Sequence, residues 1–102
     1  MRLTDFIRIL VALRDGGKVV YQDEYDEPAC DCAASHPNGL SRGVNMLAVF
    51  RCQRAGLIDV IRESDNEHGF RYEYGLTVAG IEAARTIDIS LDRALATRVT
   101  NS

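Results

Sequence analysis

Three cysteines and one histidine are the residues of this sequence whose types and spacing come nearest to a chemical site. Cys30 and Cys32 are followed by His36, and Cys52 lies further along the chain. Thiolates and imidazoles bind zinc, so these four residues are the candidate metal ligands, and Cys30 or Cys32 is a candidate redox switch. The spacing suits zinc poorly, because structural sites commonly use Cys-x-x-Cys and residues two apart on a helix point about 200° apart. Ordinary thiols are the favoured interpretation, and no cofactor is expected.

The acidic and histidine side chains do not form a recognisable active site. Carboxylate pairs such as Asp23 and Asp26 have no nucleophile, metal cluster or phosphate-binding glycine loop near them in the sequence. His68 lies beside a glycine in a polar segment, where it is either a solvated turn residue or a phosphate contact. We therefore expect no enzyme activity.

A second set of residues suits nucleic acid. Arg42, Arg51 and Arg54 lie between Leu40 and Ile58, a segment that contains no acidic residue. Arginine neutralises phosphates and can also read guanine through two hydrogen bonds. The helix predicted here is apolar nearly all round, so the alternative is a central helix buried by its neighbours or by a partner. The full set of candidate DNA contacts is Arg42, Asn45, Arg51, Arg54, His68 and Arg71.

An acidic cluster precedes this arginine-containing segment. The stretch from Asp15 to Asp31 contains six acidic residues, and Lys18 is its only basic residue. Such a surface would repel DNA if it faced the duplex. The simplest interpretation is a solvated loop. The alternative is an acidic surface for a basic protein partner, which would make the chain an interaction module or inhibitor that does not bind DNA.

Length and composition set the class of protein. A chain of 102 residues is one domain, and its apolar fraction of 46% and charged fraction of 26% are typical of soluble globular proteins. No apolar run approaches the roughly 18 residues that span a membrane. An odd number of cysteines argues against a disulfide framework and suits a reducing compartment. We expect a cytoplasmic protein with no membrane contact.

Hydrophobic periodicity and capping residues predict the elements that would position these groups. In chain order they are a helix ending at Gly16, a strand at 18–21, a short helix from about Pro28 to Ser35, a helix from Ser41 to Ala55, strands at 57–63 and 70–76 around a turn at 64–69, and a helix from Thr77 to Arg85. The first strand is expected to pair with the hairpin in a three-stranded sheet. The alternating Phe70, Tyr72 and Tyr74 suit its core face better than a base-stacking platform.

The C-terminal segment has a narrow apolar stripe. Ser90 can cap a helix in which Leu91, Leu95 and Val99 recur at intervals of four. This stripe either docks on the body of the domain or pairs with a second copy. The predicted organisation is a domain over 1–87 and a C-terminal helix or tail over 88–102 that offers a dimerisation element.

From Asn45 to Arg85 the sequence resembles the bacterial and archaeal winged-helix regulators of the MarR and PadR type. Their recognition helix leads into a Gly-Leu-Ile/Val strand, and a Leu-Thr-x-x-Gly helix start follows the hairpin. The matching stretches here are 55–58, Ala-Gly-Leu-Ile, and 76–80, Leu-Thr-Val-Ala-Gly. The resemblance implies an α+β winged helix-turn-helix, with helices packed on a small antiparallel sheet and a β-hairpin wing. It also implies a homodimeric, sequence-specific transcriptional regulator or repressor that binds double-stranded DNA, with the third helix in the major groove.

Overall fold

The computed structural model of the chain describes residues 3–24 and 31–96. None of the helices in these ranges is long and apolar enough to cross a membrane. In chain order the elements are α1 (Leu3–Arg14), β1 (Lys18–Glu24), β2 (Asp31–Ser35), β3 (Ser41–Gly43), α2 (Met46–Arg54), β4 (Ile58–Asn66), β5 (Gly69–Leu76), α3 (Val78–Arg85) and α4 (Leu91–Ala96). The α+β class predicted from the sequence is confirmed.

The strands form one antiparallel sheet in the order β3-β2-β1-β5-β4. The expected pairing of the first strand with the hairpin is confirmed, since Val19 lies opposite Tyr74 and Tyr21 opposite Tyr72. The expectation of a three-stranded sheet is wrong, because β2 and β3 extend it beyond β1. The order of α1, β1, α2, β4 and β5 is compatible with a winged helix.

The predicted short helix from Pro28 to Ser35 is wrong over the residues that the structure describes. Residues 31–35 form β2, whose backbone pairs with β1 from Lys18 opposite Ser35 to Gln22 opposite Asp31. The alanines at 33 and 34 favour helix locally, but strand pairing along the free edge of β1 overrides that preference. Residues 28–30 lie outside the described ranges. From Asp31 to α2, strands occupy the place of the first helix of a helix-turn-helix.

The predicted third helix begins four residues later than expected, since its N-cap is Asn45 and not Ser41. The stretch Ser41–Gly43 is β3, paired with β2, and the helix proper is Met46–Arg54. Asn45 is its N-cap, and the side-chain oxygen of Asn45 accepts a hydrogen bond from the Leu47 amide at 2.8 Å. The start from Ser41 was wrong because the backbone around that serine is used by the sheet.

The core lies between one face of the sheet and the helices. Alternating residues of the strands, among them Val19, Ala34 and Tyr74, are buried on this face, together with α1 residues such as Ile9. The predicted C-terminal stripe docks on the body in part. Leu91 and Leu95 of α4 are buried, and the predicted Val99 lies outside the described residues.

Two arginines of α1 fasten the C-terminal half of the chain to this core. The Nε of Arg8 donates to the Ala94 carbonyl at 2.9 Å. The guanidinium of Arg14 donates to the carbonyls of Ala84, Ile87 and Ile89 at 3.1, 2.6 and 2.5 Å. The Arg8 bond satisfies a carbonyl of α4, and the Arg14 bonds satisfy carbonyls at the end of α3 and in the segment before α4.

The joint between the hairpin and α3 explains the Leu-Thr-x-x-Gly pattern. Thr77 caps α3, because its hydroxyl oxygen accepts a hydrogen bond from the Gly80 amide at 3.0 Å and its hydroxyl donates to the Gly56 carbonyl. A Cβ atom on Gly80 would lie 1.9 Å from the Leu57 carbonyl oxygen. Only glycine therefore allows α3 to approach this closely.

Candidate functional site

The structure distributes the six candidate DNA contacts over several parts of the molecule. Arg42 is an exposed residue of the edge strand β3, and His68 lies at the exposed turn of the β4–β5 hairpin. Arg71 of β5 points away from the helices, because Phe70 and Tyr72 on either side of it face them. The other three candidates belong to α2 and its N-cap. The set predicted from the sequence therefore does not lie on one face.

The outward side of α2 is apolar in its N-terminal half. Ala48, Val49 and Cys52 are buried against the core, whereas Met46, Leu47 and Phe50 have 42%, 51% and 37% of their surface exposed. Asn45 is the polar residue at this end, and its side-chain oxygen already accepts the capping hydrogen bond from the Leu47 amide. In a recognition helix the N-terminal half contacts base edges, which requires hydrogen-bonding side chains. The exposed side chains in the N-terminal half of α2 are instead the apolar Met46, Leu47 and Phe50.

A row of aromatic rings continues this apolar surface onto the sheet. The ring of Phe50 contacts the ring of Tyr21 edge-on, with 5.3 Å between the centroids. Tyr21 in turn contacts Phe70 at 5.4 Å, and Phe70 contacts Tyr72 at 4.9 Å. We call Met46, Leu47, Phe50, Tyr21, Phe70 and Tyr72 the α2–hairpin surface. The expected shared face of Phe70, Tyr72 and Tyr74 is confirmed, but Tyr21 was not identified from the sequence.

Carboxylates flank the aromatic row. Asp65 of β4 lies opposite Phe70, and Glu63 lies opposite Tyr72. Directly opposed residues of antiparallel strands point to the same side of the sheet, so both carboxylates lie on the side of α2. Asp23 of β1 lies opposite Phe70 from the other neighbouring strand. The hairpin end of the α2–hairpin surface is therefore acidic.

A β-bulge in β4 places these acids there. Val60 lies opposite Tyr74, but Arg62 lies opposite Glu73, so Ile61 is the extra residue between them. A register shift of one residue moves the side chain of every following residue in the strand to the other face of the sheet. Without the bulge, Arg62 and Ser64 would face the aromatic row. With it, two acidic residues do.

The basic residues of α2 lie at the opposite end of the surface. Arg51 and Arg54 belong to the last turn of the helix, a few residues before Ile58 begins β4. Glu63 and Asp65 lie five and seven residues beyond Ile58, about 17 and 23 Å along the strand. Both arginines are exposed and have no ion pair within the described ranges. The surface is thus basic at one end, apolar in its middle and acidic at the other.

The candidate metal ligands are not assembled in the part of the chain that the structure describes. Cys32 and Cys52 are buried and form no disulfide, and Nε2 of His36 lies 3.1 Å from Oδ1 of Asp92. Burial raises the pKa of Cys52 to about 11, which favours the neutral thiol over the thiolate that binds metal. The described residues contain no group of three side chains that could hold a metal ion. Cys30, the fourth candidate, lies outside the described residues.

No protein-family model, curated protein or solved structure matches this chain.

Proposed function

We propose that this protein is a non-catalytic interaction module that binds a protein partner through the α2–hairpin surface. The observation that carries the proposal is the exposure of Met46, Leu47 and Phe50 on the outward side of α2. Contiguous exposed apolar side chains, continued by aromatic rings, are typical of protein interfaces. A helix that reads DNA needs polar groups at these positions.

The charges beside the surface support a protein partner over DNA. Glu63 and Asp65 lie on the side of the sheet that faces α2. A duplex that contacted both α2 and the hairpin would bring its phosphates near these carboxylates, and their repulsion would oppose binding. A protein can instead place a basic side chain between a carboxylate and a ring, where it gains an ion pair and a cation–π contact.

Capture of binding partners by the full chain tests this proposal. Leu47→Glu places a charge in the exposed surface, and Val78→Glu places the same charge on α3, where Val78 is 80% exposed. We expect immobilised wild type and Val78→Glu to retain the same protein from an extract of the source cells, and Leu47→Glu to lose it. Retention of that protein by Leu47→Glu would refute the assigned surface.

Duplex DNA binding by a transcriptional regulator is the second candidate function. It is favoured by Arg42, Arg51 and Arg54, all of which are exposed in a segment that contains no acidic residue from Leu40 to Leu57. In this case the C-terminal half of α2 would contact phosphates, and binding would weaken steeply as salt increases.

A further inference from the structure

We propose that a second copy of this chain occupies the α2–hairpin surface, related to the first copy by a two-fold axis. The arginines of α2 in each copy then face Glu63 and Asp65 of the other copy. This inference rests on the proposed function, because it requires that the α2–hairpin surface binds protein. The protein that it names is a second copy of the chain. It also makes the surface unavailable to other partners while the two copies are associated.

The charge distribution carries the inference. Arg51 and Arg54 lie at one end of the surface, and Glu63 and Asp65 lie roughly 20 Å away at the other. A two-fold axis that lies in the interface plane, at right angles to the line from the basic end to the acidic end, brings the second copy face to face with the first and exchanges the two ends. Each basic end then meets an acidic end, whereas a parallel arrangement would bring like charges together. The surface is therefore complementary to itself in one orientation.

The apolar middle of the surface suits the same orientation. Phe50 and Tyr21 lie between the two charged ends, so in the two-fold arrangement each meets its own counterpart or the neighbouring ring. Aromatic side chains and methionine are enriched at the centres of protein interfaces, with charged residues around them. The exposed Met46 and Leu47 would lose contact with water on association.

The size of the surface predicts a weak dimer. The surface is roughly 20 Å wide, the sum of two strand spacings and one helix width, and roughly 20 Å long between its charged ends. Its area is therefore about 400 Å² per copy. A standard interface takes about 800 Å² from each partner. We therefore expect dissociation in the micromolar range or weaker. Such a dimer would cover the apolar residues and still release them to a tighter partner.

Charge reversal with the full chain tests this arrangement. One variant carries Arg51→Glu with Arg54→Glu, and the other carries Glu63→Arg with Asp65→Arg. All four positions are exposed, so circular dichroism and thermal unfolding should show both variants folded. In sedimentation velocity from about 5 to 500 µM, we expect wild type to dimerise and each variant alone to dimerise at least roughly tenfold more weakly. An equimolar mixture of the variants should recover dimers, because their reversed charges complement each other.

Three results would overturn the inference. They are a wild-type monomer at the highest concentration, a dimer that neither variant weakens, and a mixture that does not recover association. The outcome is separable from that of the proposed function. A monomeric wild type whose captured partner depends on Leu47 would refute only the dimer. A dimer that follows the charge reversals, with no partner lost by Leu47→Glu, would refute only the partner-binding function.

Discussion

The two ends of the sheet differ in how deeply their side chains are buried. At the helix-covered end, Val19 and Ile58 are fully or almost fully buried, and Arg14 satisfies backbone carbonyls that lie more than 70 residues ahead of it in the chain. At the hairpin end, Phe70 and Tyr72 are only half-buried, and the neighbouring acids face solvent. Substitutions at the covered end should therefore change stability, and those at the hairpin end and on the outward side of α2 should change binding.

Gly80→Ala should give the largest loss of stability. The new methyl group would collide with the Leu57 carbonyl, a backbone atom that cannot move without displacing the joint between α2 and β4. We expect the free energy of unfolding to fall by roughly 3 kcal/mol or more, measured by urea denaturation. Helix propensity alone would raise it by about 1 kcal/mol. A stabilised Gly80→Ala variant would therefore contradict the close contact.

Arg14→Met should have the next largest effect. Methionine keeps part of the apolar stem but removes the donors to the carbonyls of Ala84, Ile87 and Ile89. We expect a loss of roughly 2 kcal/mol, because these part-buried acceptors would lose charged partners. The control is Arg85→Met, which removes an exposed pair with Glu82 and should change stability by less than about 0.5 kcal/mol. Equal effects would show that Arg14 does not fasten the C-terminal half.

Two substitutions within α2 compare the buried and outward sides of one helix. Val49→Ala removes buried methyl groups and should cost roughly 1–2 kcal/mol. Leu47→Ser changes a half-exposed residue and should cost less than about 0.5 kcal/mol, while weakening association. Thermal unfolding and sedimentation measure the two properties on the same samples. If Leu47→Ser destabilises as much as Val49→Ala, the outward side of α2 belongs to the core.

The smallest expected effect is a contribution of Asp15 to acid stability. The hydrogen bond from Arg14 holds the pKa of Asp15 below its ordinary value of 3.8. The unfolded state therefore binds this proton first, so the contribution is present above about pH 4 and is lost as pH falls through the lower folded pKa. Unfolding midpoints between about pH 6 and pH 2 should fall less steeply for Asp15→Asn than for wild type. Identical slopes would exclude this contribution.

Local signals in the sequence predicted the elements whose boundaries depend on nearby residues. Thr77 as a cap, Gly56 as a helix stop and the alternation along β5 all act within a few residues. β2 was missed because its formation depends on pairing with β1, from Gln22 opposite Asp31 to Lys18 opposite Ser35, and this pairing reaches beyond the local sequence pattern. The acidic end of the α2–hairpin surface was missed for a related reason. It depends on a bulge at Ile61, and the alternation of residue types around that position does not reveal the bulge.

The central claim is that α2 contacts protein and not DNA. Titration with labelled duplex DNA tests this claim most directly. Sheared genomic DNA from the source organism can be titrated with wild type and with the Arg51→Ala, Arg54→Ala double variant at about 50 and 200 mM salt. We predict weak binding, with a Kd above about 1 µM at 200 mM salt, that is the same for both proteins. A tighter complex that falls steeply with salt and is lost in the double variant would contradict the account and assign α2 to DNA.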